Sequence, residues 1–334
     1  MATVRDVAEY AGVSTATVSY VLNGHKTRAN PVGDRTRRRV LEAAAALDYV
    51  PNQAARSLRR RTTHRVALVS SGVGVPWMDE LASELQSTAE QHQYTLVILP
   101  VDSEERLSHA VQMMRQKLVD GAVIAPLNFP LDVDALHLLA RDGCSLVAYS
   151  NELRAERFDV LRTTEREGIR EAVACLVESG RRRIAYLADG PARDPDLSSE
   201  RYRSFASALS DLGVRPHRRL VAPGVDRVQA FASTRRLLAH REPPDAIFSA
   251  SDRGAIAALW AAHRSALRVP EDVAIVGVGN IPESEITDPP LSTVGPTSVE
   301  FGRVAELLFK RLGGDTSPYR ALVEDRHFIR RGSA

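Results

Sequence analysis

With 334 residues, 44% of them hydrophobic, the chain is long enough for one small and one or two medium domains. It has no run of about eighteen apolar residues, which excludes a helical membrane span. Its two cysteines, Cys144 and Cys175, lie in unrelated segments, which excludes a disulfide framework and a metal-ligand spacing. The net charge of +2 is unevenly spread: residues 1–64 carry 11 Lys/Arg against 5 Asp/Glu, and residues 65–334 carry 33 against 37. A basic segment joined to a mildly acidic remainder is the footprint of a nucleic-acid module on a separate domain. Arg5, Asp6 and Glu9 come early and no apolar leader precedes them, so reduced thiols and a cytoplasmic location are expected.

In chain order, Val4, Val7, Ala8 and Ala11 fall at i, i+3, i+4 and i+7, one apolar stripe of a helix. Thr3 stands ready to cap it, with Asp6 near the positive helix start. Gly12 can take positive φ and end it. Ser14 then opens a second helix whose apolar face is Val18, Val21 and Leu22. Two short helices across a glycine turn make a helix-turn-helix pattern. The remaining positions of the second helix, Thr15, Ala16, Thr17, Ser19 and Tyr20, are small or hydroxyl-bearing and none is acidic. Hydroxyls can donate to phosphates and base edges, and Ala16 can meet a thymine methyl in the major groove. A capped helix pair that merely packs on a larger domain is the alternative.

Residues 24–33 read as a loop, and Asp34 is expected to cap a third helix with Val40, Leu41, Ala44 and Leu47 inward. Arg35, Arg37, Arg38 and Arg39 crowd its first turns, where the helix dipole disfavours cations. A nearby phosphate backbone would offset that, and a solvated basic face is the alternative. Pro51 and Asn52 open a helix of about two turns, too short to persist alone in water.

Val4 to Asn23 resembles the DNA-binding headpiece of the LacI/GalR family of bacterial transcription regulators. Tyr49-Val50-Pro51-Asn52-Gln53-Ala54-Ala55-Arg56-Ser57-Leu58-Arg59 resembles the family's hinge helix, in the family's order and at about its spacing. The resemblance implies bases read by Thr15, Ala16 and Tyr20, and phosphates held by Thr3, Ser14, Thr17, Ser19 and Asn23. It implies a hinge that orders against its two-fold mate on DNA, with Asn52, Ala55 and Arg59 at the DNA and Leu58 wedged into the minor groove. The partners implied are near-palindromic double-stranded operator DNA, a second copy of the chain and a small-molecule effector. A dimer is expected in preference to a coiled-coil tetramer, since no heptad extension closes the sequence.

From Arg65 onward, strand-like runs at 66–70, 95–99, 122–125, 146–149, 184–188, 246–248 and 273–276 alternate with seven helical segments, near 78–92, 103–117, 132–141, 165–179, 199–212, 226–240 and 253–264. A last helix is expected near 298–312 and a tail strand near 321–330. Such alternation means an α/β fold with parallel sheets covered on both faces, and so many elements mean two lobes. By resemblance this is the two-lobed type I periplasmic-binding-protein-like fold, crossed three times by the chain, with effector in the cleft. The expected domains are 1–50 (headpiece), 51–64 (hinge and linker) and 65–334 (effector binding and dimerisation).

The family pattern places Trp77, Arg201 and Asp252 at effector-binding positions; Met78 could be a contact or core. Asp252 could equally cap a helix. Three family anchors are absent: Gly277-Val278-Gly279-Asn280 lacks its aspartate, Ser150 stands for an acidic residue, and Arg162-Thr163 stands for an Asp-Asn pair. The effector is therefore expected to differ from a simple sugar bound in the usual way. The glycine runs at 72–77 and 277–279 are incomplete dinucleotide fingerprints. No catalytic or metal constellation is present, so neither enzyme activity nor a cofactor is expected. A small-molecule binding protein without specific DNA recognition remains the rival reading.

Overall fold

The computed structural model describes residues 2–22, 32–49, 62–72, 76–127, 129, 131–188, 197, 199–216, 220–224, 226–298 and 301–334. Contacts divide the chain into two compact units, Met1–Thr63 and His64–Ala334.

The first unit holds α1 (Val4–Ala11), α2 (Thr15–Leu22) and α3 (Asp34–Ala46). Their apolar faces converge on Val7, Ala8, Ala11, Val18, Val21, Val40, Ala43 and Ala44. Thr3 and Asp6 form a reciprocal capping box at the start of α1, and Gly12, at φ 59°, ends that helix as expected. Two expectations for α3 change. Asp34 is its first helical residue, after Gly33 as N-cap, and Leu41 is exposed. Ala43 takes the inward place, because the core stripe runs through 40, 43, 44 and 47.

The second unit has two six-stranded sheets. The strands are β1 (Arg65–Ser70), β2 (Thr95–Pro100), β3 (Gly121–Ile124), β4 (Ser145–Tyr149), β5 (Asp159–Thr163), β6 (Ile184–Ala188), β7 (Val221–Pro223), β8 (Ala246–Ser249), β9 (Ala274–Val278), β10 (Ser292–Gly295), β11 (Ala321–Glu324) and β12 (His327–Ile329). The helices are α4 (Pro76–Gln91), α5 (Glu104–Arg115), α6 (Val133–Arg141), α7 (Glu165–Glu178), α8 (Glu200–Asp211), α9 (Arg227–Leu238), α10 (Asp252–Arg264), α11 (Glu283–Ile286) and α12 (Phe301–Leu312). None of the described helices is long and apolar enough to cross a membrane.

One sheet runs β11-β5-β4-β3-β1-β2, all parallel; the other runs β12-β10-β9-β8-β6-β7, parallel except for antiparallel β12. Each sheet has an apolar core on either face, which is why its central strands are continuously hydrophobic. The chain crosses between lobes after β5, after β10 and between β11 and β12. Strands β5, β7 and β10 were not expected from the sequence, and the expected tail strand is two strands in different lobes. Buried Asp159 on β5 is held by Arg311 of α12 through two bonds of 2.7 and 2.9 Å, so β5 is fixed by a charge pair as much as by apolar burial.

Candidate DNA interface and effector cleft

In the first unit, Ser14 caps α2: its Oγ accepts the Thr17 N–H at 3.1 Å and lies 2.9 Å from Thr17 Oγ1. Ser14, Thr15 and Ala16 are exposed on the first turn of α2; Thr17, Ser19 and Tyr20 are half-buried. Thr3 is exposed, with its hydroxyl donating to Asp6 Oδ2 at 2.9 Å. Arg39 does something the sequence did not disclose. Its Nη2 donates to the carbonyls of Ala11 and Gly12, the unsatisfied C-terminal end of α1. Asn23, Asn52, Ala55, Leu58 and Arg59 lie outside the described residues.

In the second unit, the carboxyl ends of both sheets face the crossovers, where ligands bind in such folds. Trp77 lies in the first turn of α4, half-buried, its ring 6.2 Å from that of Tyr149 and 6.4 Å from that of Phe301. Met78 beside it is buried. The Tyr149 hydroxyl is buried without a hydrogen-bond partner among the described residues. Burial pushes its pKa well above the usual tyrosine value, with the charges of Glu324 and Arg326 close enough to be felt.

Arg201 opens α8, and its fork is already engaged. Nε and Nη2 donate to the two oxygens of Glu165 at 2.6 and 3.0 Å, and Nη1 to the Ala250 carbonyl at 2.8 Å. Glu165, the first residue of α7, also accepts from Arg326 Nη1 at 2.6 Å, and Arg326 turns to Glu324 at 2.9 Å. Burial alone would raise the pKa of Glu165, but Arg201 and Arg326 outweigh it and hold it at about 2. Neither Glu165 nor Arg326 was singled out in the sequence, though Glu165 lies two residues after the Arg162-Thr163 position that was.

Asp252 is placed differently from what the family pattern implies. It is 1% exposed, with Oδ1 accepting from the Thr293 hydroxyl at 2.6 Å and Oδ2 from the Ile281 N–H at 2.9 Å. Its carboxylate thus serves the inside of the lobe. Ser251, not Asp252, caps α10. Asn280 is likewise committed, to the Pro296 carbonyl and to Arg331. Ser150 accepts the N–H groups of Glu152 and Leu153, and Arg162 donates to the Leu153 carbonyl, so both shape the β4–β5 connection.

A helix-turn-helix unit followed by a two-lobed α/β unit with a charged network at its crossovers defines a DNA-binding regulator of transcription with an effector domain. Residues 3–52 match the description "Bacterial regulatory proteins, lacI family", and residues 173–334 match "Periplasmic binding protein-like domain". The ribose operon repressor of Haemophilus influenzae is 30% identical over 332 residues, covering 97% of this chain and 96% of that protein. The transcriptional repressor PurR of Pasteurella multocida is 30% identical over 328 residues, covering 97% and 96%. The lac repressor dimer bound to operator and the anti-inducer ONPF superposes with a TM-score of 0.77 at 25% identity, covering 99% and 98%. The chain belongs to the LacI family of bacterial regulatory proteins.

Proposed function

We propose that the chain is a homodimeric repressor that grips a near-palindromic operator with two headpieces, 1–50, through hinges at 51–64. A small molecule between the lobes of 65–334 controls it. One observation carries the DNA reading: the first turn of α2 is capped from within and exposes Ser14, Thr15 and Ala16. That is the end of the recognition helix that meets base edges in this motif. Relatives named as repressors, and a structural neighbour solved as a dimer on operator, support the dimeric reading. A gel-shift with the DNA upstream of the protein's own gene, titrated across salt, tests it. A preference for one fragment over random duplex is expected; equal affinity for both would refute specific recognition.

The effector is proposed to differ from a common monosaccharide held in the usual way. Asp252 and Asn280 spend their polar atoms inside the lobe, and Gly277 and Gly279 offer no side-chain acceptor. Sites stripped of such groups lose their discrimination for hydroxyls. Calorimetry with common monosaccharides is expected to show no tight binding, and a tight complex would overturn this reading.

A further inference from the structure

We propose that Glu165 is a specificity-determining residue that reserves the cleft for uncharged ligands by occupying the two arginines that would otherwise take an anion. This rests on the reading that the cleft binds the effector. A guanidinium fork is the side chain best matched to a carboxylate or phosphate, which it holds through two parallel bonds. Arg201 has that fork at the lobe boundary, but Glu165 fills it from within the protein at 2.6 and 3.0 Å. Arg326 is shared between Glu165 and Glu324. Two guanidinium groups and two carboxylates therefore balance in one network, with side-chain exposures of 11 to 29%.

An anionic ligand at the Arg201 fork would have to displace Glu165, leaving its half-buried carboxylate with Arg326 alone and beside a second negative charge, which is unfavourable. An uncharged ligand meets no such barrier. A carboxylate has about four acceptor sites. Glu165 uses Oε1 once and Oε2 twice, which leaves one on Oε1 for a ligand O–H or N–H. On the other lobe, the half-buried Trp77 ring supplies an apolar face.

The test is thermal unfolding of the full-length protein at constant ionic strength, with inorganic phosphate as the anion probe. The wild type is expected to show no saturable rise in Tm that depends on Arg201. Glu165→Gln bares the fork and should gain a saturable rise of about 3 °C once phosphate reaches ten times its dissociation constant. That gain should vanish in the Glu165→Gln, Arg201→Gln double variant. A saturable rise in the wild type that Arg201→Gln abolishes would overturn the proposal, as would a Glu165→Gln protein with no gain. Should Glu165→Gln fail to fold, Glu165→Asp, which cannot reach both nitrogens, takes its place with the same expected gain. The readout contains no DNA, so failure of the operator gel-shift would sink the regulatory reading while leaving this result to stand or fall alone.

Discussion

Asp252 keeps a carboxylate in a place that water does not reach, and the reason lies in its neighbours. A Cβ at Gly277 would collide with Asp252 Oδ1, and one at Gly279 would lie 3.4 Å from Oδ2. Gly277 keeps the glycine of the family's Gly-x-Asp-Asn run and Gly279 stands for its aspartate, and the space the two leave is filled by the carboxylate of Asp252 turning inward. The motif placed this residue correctly at a strand end; its direction depends on the absence of side chains 25 and 27 positions later, which no local pattern reveals. Burial pushes its pKa up to about 6, against the lowering effect of the Thr293 hydroxyl, the Ile281 N–H, Arg201 and Arg331. The folded protein therefore holds this proton more tightly than the unfolded chain, whose value is near 3.8. Stability should rise as pH falls from 7 to 5, by about 1 kcal/mol from this group, and Asp252→Asn should flatten that slope. Glu165 acts in the opposite sense below about pH 4.5, where the stability it contributes as a paired carboxylate is lost as pH falls toward 2. Urea denaturation of wild type and variant at pH 7, 5 and 3.5 measures both; a wild type no more stable at pH 5 than at pH 7 would contradict the assignment.

The turn between α1 and α2 is where one element fixes another. Gly12 leaves α1 in the left-handed region, and the carbonyls of Ala11 and Gly12 are taken by Arg39 from α3. A cation at a helix C-terminus is favoured by the dipole as well as by the bonds. Arg39 thus acts as a clamp, a use that the basic run alone did not distinguish from phosphate contact or a solvated face. Arg39→Gln should lower the stability of the first unit by about 1–2 kcal/mol, seen as faster amide exchange in α1 and α2. It should leave the slope of log K against log salt unchanged, whereas loss of a phosphate contact would reduce that slope by about 0.9. The helices and central strands were legible because capping and apolar periodicity are local. β7 was not, with only three residues, and β5 and β10 were not, because Asp159, Arg162, Ser292 and Thr293 break the apolar run. Three of those polar groups are satisfied by partners far away in sequence: Arg311 at Asp159, Asp252 at Thr293 and the Arg331 N–H at the Ser292 hydroxyl. The tail strand divides because Arg326 is drawn into the crossover, its N–H donating to Thr164 Oγ1 at 2.7 Å.

The two lobes of the second unit are joined at that crossover and also through α8. Asn151, just after β4 in one lobe, donates from Nδ2 to Glu200 of α8 in the other at 2.9 Å, while its Oδ1 accepts the Thr163 N–H at 2.8 Å. Glu152 pairs with Arg203 one turn further along α8 at 3.3 Å. The second contact is exposed on both sides and adds little, since water and salt screen it. The first is half-buried, charge-assisted and anchored at both ends, so it acts as the latch on α8, the same helix that presents Arg201. A family member that transmits an effector signal must let its lobes change angle, and a latch worth a small multiple of thermal energy biases that angle without freezing it. A double-mutant cycle of Asn151→Ala and Glu200→Ala, read by urea denaturation, should give a coupling of about 0.5–1.5 kcal/mol. Small-angle scattering of effector-free Glu200→Ala should show a larger radius of gyration than wild type, and its operator affinity should differ from wild type although no DNA-contacting residue has changed. A coupling near zero, with scattering unchanged, would reduce the latch to an incidental contact and leave the crossover network of Thr164, Glu165 and Arg326 as what sets the lobe angle.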